Sequence, residues 1–252
     1  MTKTVAIANR KGGVGKTATA HALGAGLQRK GYRVLFVDLD SQCNLTNALG
    51  IDYSKVEASS LDVLEGSSEA LEAILQTKGG DILPATPALA TADKIIEGVG
   101  AEYRLKEALQ PIARRYDYII VDTPPALGVL TVNALTASNS LIIPAQADLY
   151  SLTGIEQLIG TIEAVKRFTN RKLDVAGILL TRYVARSIIS QDMRSNLEEL
   201  AEAIGTKVFK TPIRECTAVK EAQATQTDIY SYSNKCNASK DYRDFVEEFL
   251  GG

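Results

Sequence analysis

The chain has 252 residues, 45% of them hydrophobic and 23% charged, with a formal net charge of −2 at pH 7. This length suits one large α/β domain or two small ones with a full core. The balanced charge excludes a generic polycation, so that binding to nucleic acid would require a local basic patch.

The sequence also bears on membrane or secretory segments and on the state of the cysteines. No apolar run reaches the ~20 residues of a membrane span, and a strand-like run begins within four residues of the start, which leaves no room for a signal peptide. Cys43, Cys216 and Cys236 are widely spaced, which favours free thiols in a reducing cytoplasm. The one histidine, His21, falls on a predicted helix, where we expect a structural side chain.

Strand-like apolar runs alternate with helix-like segments from one end of the chain to the other. The predicted strands are 4–9, 33–40, 81–86, 116–125, 140–146, 175–183 and 207–213, and the predicted helices are 16–30, 102–114, 153–169, 190–204 and 238–250. Residues 51–80 are acidic and weakly periodic, which indicates a variable excursion. The alternation predicts an α/β fold: a mostly parallel, doubly wound twisted sheet flanked by helices, in a single domain over residues 1–252.

Ligands of such sheets bind at the carboxyl ends of the strands. The first predicted strand runs into "RKGGVGKT" at residues 10–17 and then into a helix. Glycines allow close backbone approach to phosphate oxygens, and the N–H groups at the helix start complement negative charge. Lys16 is placed to reach the β- and γ-phosphates, and Thr17 to put its hydroxyl on Mg²⁺. The loop departs from the usual pattern, because Arg10 replaces the first glycine and Lys11 is a second lysine.

Carboxylates follow two further strands. Asp38 and Asp40 end the strand at 33–40 and lie on one face, since they are two residues apart. Asp122 ends the strand at 116–125, the arrangement in which an apolar strand delivers a carboxylate to a metal ion. Together with the loop, these three residues predict a Mg²⁺–nucleotide site.

These motifs resemble a known family, the ParA/MinD ATPases with a deviant Walker A loop. "KGGVGKT" (11–17) matches that loop, "VDLDSQCNLT" (37–46) is similar to the second motif, and "VDTPPALGVLTVNALTASNSLIIPAQADLYSLTGIEQL" (121–158) resembles the ParA branch. The likeness covers nearly the whole chain and is greatest to the small ParA/Soj-like partition ATPases, which lack an N-terminal helix-turn-helix domain. Departures are Arg10 for glutamine, Ala18 for threonine and Ser41 for proline, none of which removes a phosphate or metal group.

The resemblance implies a role for each site residue. Lys11 would reach across a nucleotide-sandwich homodimer to the phosphates of the partner subunit, and Asp40 would position the attacking water. Asp38 would support the Mg²⁺ shell with Thr17, and Asp122 would be the Walker B carboxylate. Slow, Mg²⁺-dependent ATP hydrolysis follows, with ATP or ADP as the bound nucleotide. The nucleotide-binding set is Lys11, Gly12, Gly13, Val14, Gly15, Lys16, Thr17, Ala18 and, framing adenine, Pro212.

The same resemblance implies that the ATP dimer binds double-stranded DNA without sequence preference. The segments "TRYVARS" (181–187) and "TPIRECTAVKEA" (211–222) supply Arg186, Arg214 and Lys220, with Arg182, Lys210 and Lys235 as weaker candidates. Residues 160–240 carry thirteen basic and nine acidic side chains, which is consistent with this assignment. A ParB-type centromere-binding protein would stimulate hydrolysis, and the protein would be cytoplasmic and associated with the nucleoid.

Other functions remain open on this scaffold. A MinD-like membrane-associated ATPase would need a basic amphipathic C-terminal helix, whereas "KDYRDFVEEFLGG" is acidic and short, so we expect no membrane partner. An iron–sulfur protein would need cysteine ligands near strand ends, which the three cysteines fit poorly. An amide-forming synthetase and the positioning of other cargo, such as chemoreceptor arrays or carboxysomes, are further alternatives.

Overall fold

A seven-stranded sheet runs through the protein, and the computed structural model describes residues 2–184 and 188–251 of the chain. The strands, numbered in chain order, are β1 (Lys3–Ile7), β2 (Val34–Asp38), β3 (Leu75–Thr77), β4 (Gly80–Leu83), β5 (Tyr118–Asp122), β6 (Ser140–Gln146) and β7 (Asp174–Thr181). Their spatial order is β3-β4-β2-β5-β1-β6-β7. Only the edge pair β3–β4 is antiparallel, which confirms the predicted mostly parallel, doubly wound sheet.

Helices cover both faces of the sheet. They are α1 (Lys16–Arg29), α2 (Asn44–Ala48), α3 (Ser60–Glu65), α4 (Ala70–Ala73), α5 (Ala92–Ile95), α6 (Arg104–Leu109), α7 (Val129–Ala137), α8 (Leu149–Phe168), α9 (Ile188–Ala203), α10 (Thr217–Ala224), α11 (Ile229–Tyr232) and α12 (Asn237–Gly251). Short 3₁₀ turns span Tyr53–Lys55, Pro87–Thr91, Ala101–Tyr103 and Ala113–Arg115.

Strand alternation divides the core between the two faces. In β2, Leu35 and Val37 pack toward α3 and α6–α9, whereas Val34 and Phe36 pack toward α1, α2 and α10–α12. Successive strand side chains point to opposite faces, and both faces are covered, so the strands read as near-continuous apolar runs. The apolar side of α12 is used within this core, through buried residues such as Tyr242, Phe245 and Phe249.

The structure differs from the elements expected from sequence in three places. The predicted strand at 207–213 contributes only isolated bridges, from Val208 to Ile178 and, just beyond it, from Arg214 to Tyr183. The strand is interrupted by a tertiary contact, because the N–H groups of Lys210 and Thr211 donate to the Glu248 carboxylate of α12 at 2.8 and 3.1 Å instead of to a strand.

The other two differences concern helix and loop regions. The predicted helix at 102–114 is divided into a 3₁₀ turn, α6 and a second 3₁₀ turn. The weakly periodic stretch 51–80, which the sequence indicated only as a variable excursion, holds α3, α4 and β3. Short helices and an edge strand carry too few residues for a period to emerge from sequence.

The strand order decides which loop ends meet. β5 lies between β1 and β2, and Asp122 is in register with both Ile7 and Asp38. The loop after β1 and the carboxyl ends of β2 and β5 therefore converge at one edge of the sheet, as the polar strand ends predicted.

Candidate nucleotide site

The loop between β1 and α1 is shaped by glycine. Gly13 and Gly15 have φ angles of +74° and +85°, in the left-handed region that other residues rarely adopt. Gly15 leads directly into α1, which has no side-chain N-cap and no acidic residue in its first turn. The backbone N–H groups at that end therefore remain available for an anion.

A cavity of about 600 Å³ opens against this loop. From the sequence-predicted set it is lined by Gly12, Gly13, Gly15, Lys16, Thr17, Ala18, Asp40, Arg214 and Lys220. Its lining does not include Lys11, Val14, Pro212, Asp38 or Asp122 among the described residues. The volume lies within the range of small-molecule sites.

Lys16 lies at the floor of the cavity and is only 7% exposed. Its ammonium donates a hydrogen bond to the Lys11 carbonyl at 3.2 Å. Burial lowers the pKa of Lys16, and the carboxylates of Asp122 and Asp40 oppose that effect. A buried cation facing two acidic groups at a helix start is the arrangement that neutralises phosphate charge.

Asp38 is fully buried, and both of its carboxyl oxygens are already hydrogen-bonded. Oδ1 accepts the N–H of Asp40 at 3.0 Å, and Oδ2 accepts the N–H and the hydroxyl of Thr46 at 2.9 and 2.8 Å. Burial raises the pKa of Asp38 to about 6, against these hydrogen bonds. Asp38 thus fixes the turn that carries Asp40 and ties it to α2. Any part it plays in the Mg²⁺ shell stays a prediction.

Asp122 differs, because neither of its buried oxygens accepts a hydrogen bond from the described residues. Burial and the neighbouring Asp38 charge raise the pKa of Asp122 well above its ordinary value, while Thr17 and Lys16 lower it. An unpartnered buried carboxylate is costly unless something binds it. Mg²⁺ is usually held by one or two carboxylates together with waters and phosphates, and Asp122 with the Thr17 hydroxyl fits that donor set.

Asp40 connects the second motif to the cavity. Its side chain is 8% exposed and lines the cavity, and Oδ1 accepts the N–H of Gln42 at 3.0 Å. Asp40 therefore brings a carboxylate to the cavity, where such a group can accept a proton or orient a water.

Lys11 lies outside the cavity lining and pairs with a residue 137 positions away. Its ammonium donates to Oδ2 of Asp148, at the start of α8. Its backbone N–H donates to Asn9 Oδ1 at 3.0 Å. Within its own subunit, the second lysine of the loop is thus directed toward α8.

The predicted DNA-contacting residues have different settings. Arg186 lies outside the described residues. Arg214 is bound by Asp241, with Nε and the backbone N–H each donating to Oδ2 at 2.9 Å, and it lines the nucleotide cavity together with Lys220. Among the weaker candidates, Arg182 pairs with Glu215 at 3.0 Å, and Lys210 and Lys235 are exposed.

Sequence reasoning missed much of the far wall of the cavity. The additional lining residues are Gln42, Asn44, Asn47, Ala48, Pro125, Thr181, Ile213, Glu215, Cys216, Val219, Gln223, Ala224 and Tyr242. Arg182, a weaker DNA candidate from sequence, also lines the cavity. Gln42 and Asn44 lie within the second motif (37–46), so that motif could have indicated them. In α10 the sequence singled out Lys220 only for DNA, and α12 carried no local signal, because only the tertiary fold brings these helices to the loop.

Comparison with known proteins decides the family. A family model described as an AAA domain matches residues 2–175. The sporulation initiation inhibitor protein Soj of Bacillus subtilis is 40% identical over 251 residues, covering 98% of each chain. The chain belongs to the ParA/Soj-like partition ATPases. This ParA/Soj-like chain is also 35% identical to the chromosome partitioning protein ParA of Caulobacter vibrioides over 98% of its own length and 94% of that protein.

A solved structure has the same fold. A Mycobacterium smegmatis protein named cobyrinic acid a,c-diamide synthase, with bound ADP and magnesium, matches this ParA/Soj-like chain with a TM-score of 0.86 and 37% identity. The match covers 99% of this chain and 94% of that one. Within the described residues, no helix is both long and apolar enough to cross a bilayer.

Proposed function

We propose that this protein is an ATP-driven DNA-partition switch. Mg²⁺–ATP occupies the 600 Å³ cavity, two subunits close on their nucleotides, and the dimer binds double-stranded DNA without sequence preference. Slow hydrolysis, stimulated by a ParB-type partner, releases the DNA. The observation that carries the proposal is the buried Asp122 carboxylate at the end of β5, which accepts no hydrogen bond from the described residues and lies beside Lys16 and Thr17 of a glycine loop that bears a second lysine.

Each residue has a task in the proposed reaction. The loop N–H groups and Lys16 bind the phosphates, while Thr17 and Asp122 hold the Mg²⁺ that neutralises them. Asp40 orients a water for in-line attack, and Asp38 holds the turn that carries Asp40. Lys11 adds charge to the phosphates bound by the partner subunit, so that closure and hydrolysis depend on the dimer.

The proposed DNA surface includes the residues predicted from sequence, Arg186, Arg214 and Lys220. Arg214 also pairs with Asp241, which joins the loop before α10 to α12. Because a dimer doubles every phosphate contact, binding should fall steeply with salt.

The decisive experiment measures binding to random-sequence duplex DNA with ATP, with ADP and without nucleotide, across a salt series. The proposal requires tight, salt-sensitive binding with ATP alone. Equal, weak binding in all three states would contradict it. Light scattering on the same samples shows whether dimerisation accompanies DNA binding.

An amide-forming synthetase is the second candidate, because a 37% identical neighbour carries that name. Transfer of ammonia from glutamine needs a nucleophilic thiolate. Cys43, beside the second motif, is buried, and burial raises the pKa of its thiol to about 12. ATP-dependent release of glutamate from glutamine, absent in the partition proposal, would favour the synthetase.

A further inference from the structure

Asp148 divides its two carboxyl oxygens between α8 and the nucleotide loop. Oδ1 caps the helix by accepting the Ser151 N–H at 2.9 Å and the Ser151 hydroxyl at 3.2 Å. Oδ2 accepts the Lys11 ammonium. Although burial alone raises it, the pKa of Asp148 lies below its ordinary value, because Lys11 and Ser151 stabilise the carboxylate. The group is therefore a charged acceptor that holds Lys11 in cis.

Further contacts hold the same loop against β6. Asn9 Nδ2 donates to the Pro144 carbonyl at 2.7 Å, and Gln146 Nε2 donates to the Gly13 carbonyl at 2.9 Å. The Lys11 side chain is 22% exposed. Lys11 belongs to this loop held against β6, and it does not line the cavity among the described residues. Its ammonium has to leave Asp148 before it can reach any nucleotide.

We propose that Asp148 is a positioning residue that holds Lys11 within its own subunit until the nucleotide of a second subunit offers a stronger anion, so that dimer closure requires ATP rather than ADP. The inference rests on the proposed function, in which Lys11 acts across the dimer. Because Lys11 would have to extend away from Asp148 to reach across the dimer, the two acceptors compete for one ammonium, and ATP brings one more phosphate than ADP to the competition. Asp148 thereby sets the nucleotide selectivity of the switch.

The test removes the negative charge of residue 148 and keeps its hydrogen bond to the start of α8. In Asp148→Asn, the side-chain oxygen can still accept the Ser151 N–H, since asparagine is as good an N-cap as aspartate. We expect the apparent association constant of the Asp148→Asn dimer in ATP to exceed that of the wild type by about fivefold to twentyfold. Closure of the wild-type dimer breaks two partly exposed Lys11–Asp148 ion pairs, one in each subunit, and each is worth a few-fold. We also expect a measurable dimer in ADP. Light scattering over a protein dilution series gives both values.

Two variants serve as controls. Ser151→Ala perturbs the start of α8 but keeps the carboxylate and its pair with Lys11, so its dimerisation should match the wild type. Lys11→Ala should not dimerise in ATP. If the wild type itself does not dimerise in ATP, or if Lys11→Ala dimerises normally, the proposed function fails independently of Asp148.

A second readout needs no nucleotide and tests the pair directly. The rate at which an amine-reactive ester acylates Lys11 is followed by mass spectrometry, with the exposed Lys55 as internal reference. Asp148→Asn should accelerate labelling of Lys11 several-fold and leave Lys55 unchanged, whereas Ser151→Ala should change neither.

Three results would overturn the proposal. Unchanged labelling of Lys11 in Asp148→Asn would show that Asp148 does not hold it. Faster labelling with unchanged ATP and ADP dimerisation would remove the role in selectivity. Loss of the ATP dimer from a folded Asp148→Asn protein would mean that the carboxylate is needed in the closed state.

Discussion

Acid should destabilise this protein through a single buried imidazole. His21 lies on α1 at 5% exposure, edge-on to Phe36 with ring centroids 6.1 Å apart. Burial lowers the pKa of His21 from 6.5 to about 4, against the opposing charge of Asp228. It is the one histidine of the chain, so a substitution removes the whole imidazole contribution.

The sign and size of the effect follow from linkage. Above pH 6.5 the imidazole is neutral in both the folded and the unfolded state. Between pH 6.5 and about 4 the unfolded chain binds a proton that the folded protein does not, so the free energy of unfolding falls as the pH falls. At pH 5.0, 1.5 pH units below the unfolded value, the loss is about 2 kcal/mol at ~1.36 kcal/mol per unit.

Two buried carboxyl groups change the free energy of unfolding in the opposite direction as the pH falls, so the experiment has to cancel their contributions. The pKa of Asp38 is raised from 3.8 to about 6, so its protonation favours the folded state as the pH falls through that window. The raised pKa of Asp122 has the same sign. Comparison of the wild type with His21→Gln, which is polar and does not titrate, removes both contributions.

The assay is urea unfolding of the nucleotide-free protein at pH 7.5 and pH 5.0, followed by fluorescence of the tyrosines and by circular dichroism. The wild type should lose about 2 kcal/mol more unfolding free energy between the two pH values than His21→Gln does. Equal losses in the two proteins would refute the assignment of a depressed pKa to His21.

Four other outcomes follow from the site and the core. Asp40→Ala should trap the ATP dimer on DNA, and rapid dissociation of that variant in ATP would count against the water-positioning role. Asp122→Asn should lower Mg²⁺-dependent ATP affinity more than about tenfold. The urea midpoint of the free protein should not fall, since the carboxylate accepts no hydrogen bond from the described residues. Mg²⁺ dependence equal to that of the wild type would exclude Asp122 as a metal ligand. Gly24→Ala would place a Cβ 2.2 Å from the Phe36 ring and should cost about 1–3 kcal/mol in urea unfolding, so wild-type stability would contradict the packing. Lys220→Ala should reduce the slope of log affinity against log salt by about 0.9 for each DNA phosphate that Lys220 neutralises, and an unchanged slope would remove Lys220 from the DNA surface.

The phosphate loop and its flanking elements were predictable from sequence. The order strand, "KGGVGKT", helix is a local pattern, and the structure places it between β1 and α1. The positive φ angles of Gly13 and Gly15 follow from the same letters, since few other residues adopt them. The strands ending in Asp38 and Asp122 were likewise defined by uninterrupted apolar runs.

The partners of the charged side chains were not predictable. Asp38 uses both oxygens on Asp40 and Thr46, whereas Asp122, at the equivalent end of the neighbouring strand, has no partner among the described residues. In sequence the two look alike, because each is an aspartate that ends a buried strand. Asp40, in the turn after Asp38, and Thr46, in the helix that follows, supply the donors to Asp38, whereas the turn after Asp122 supplies none among the described residues.

Sequence by itself determined the fold class, the phosphate loop and the acidic strand ends, because each depends on neighbouring residues and on a period of two or 3.6. Only the tertiary structure decided that Lys11 pairs with Asp148 and Arg214 with Asp241, and that α10 and α12 complete the cavity. Those contacts join residues far apart in the chain. They arise from the packing of the elements in three dimensions, which no local pattern specifies.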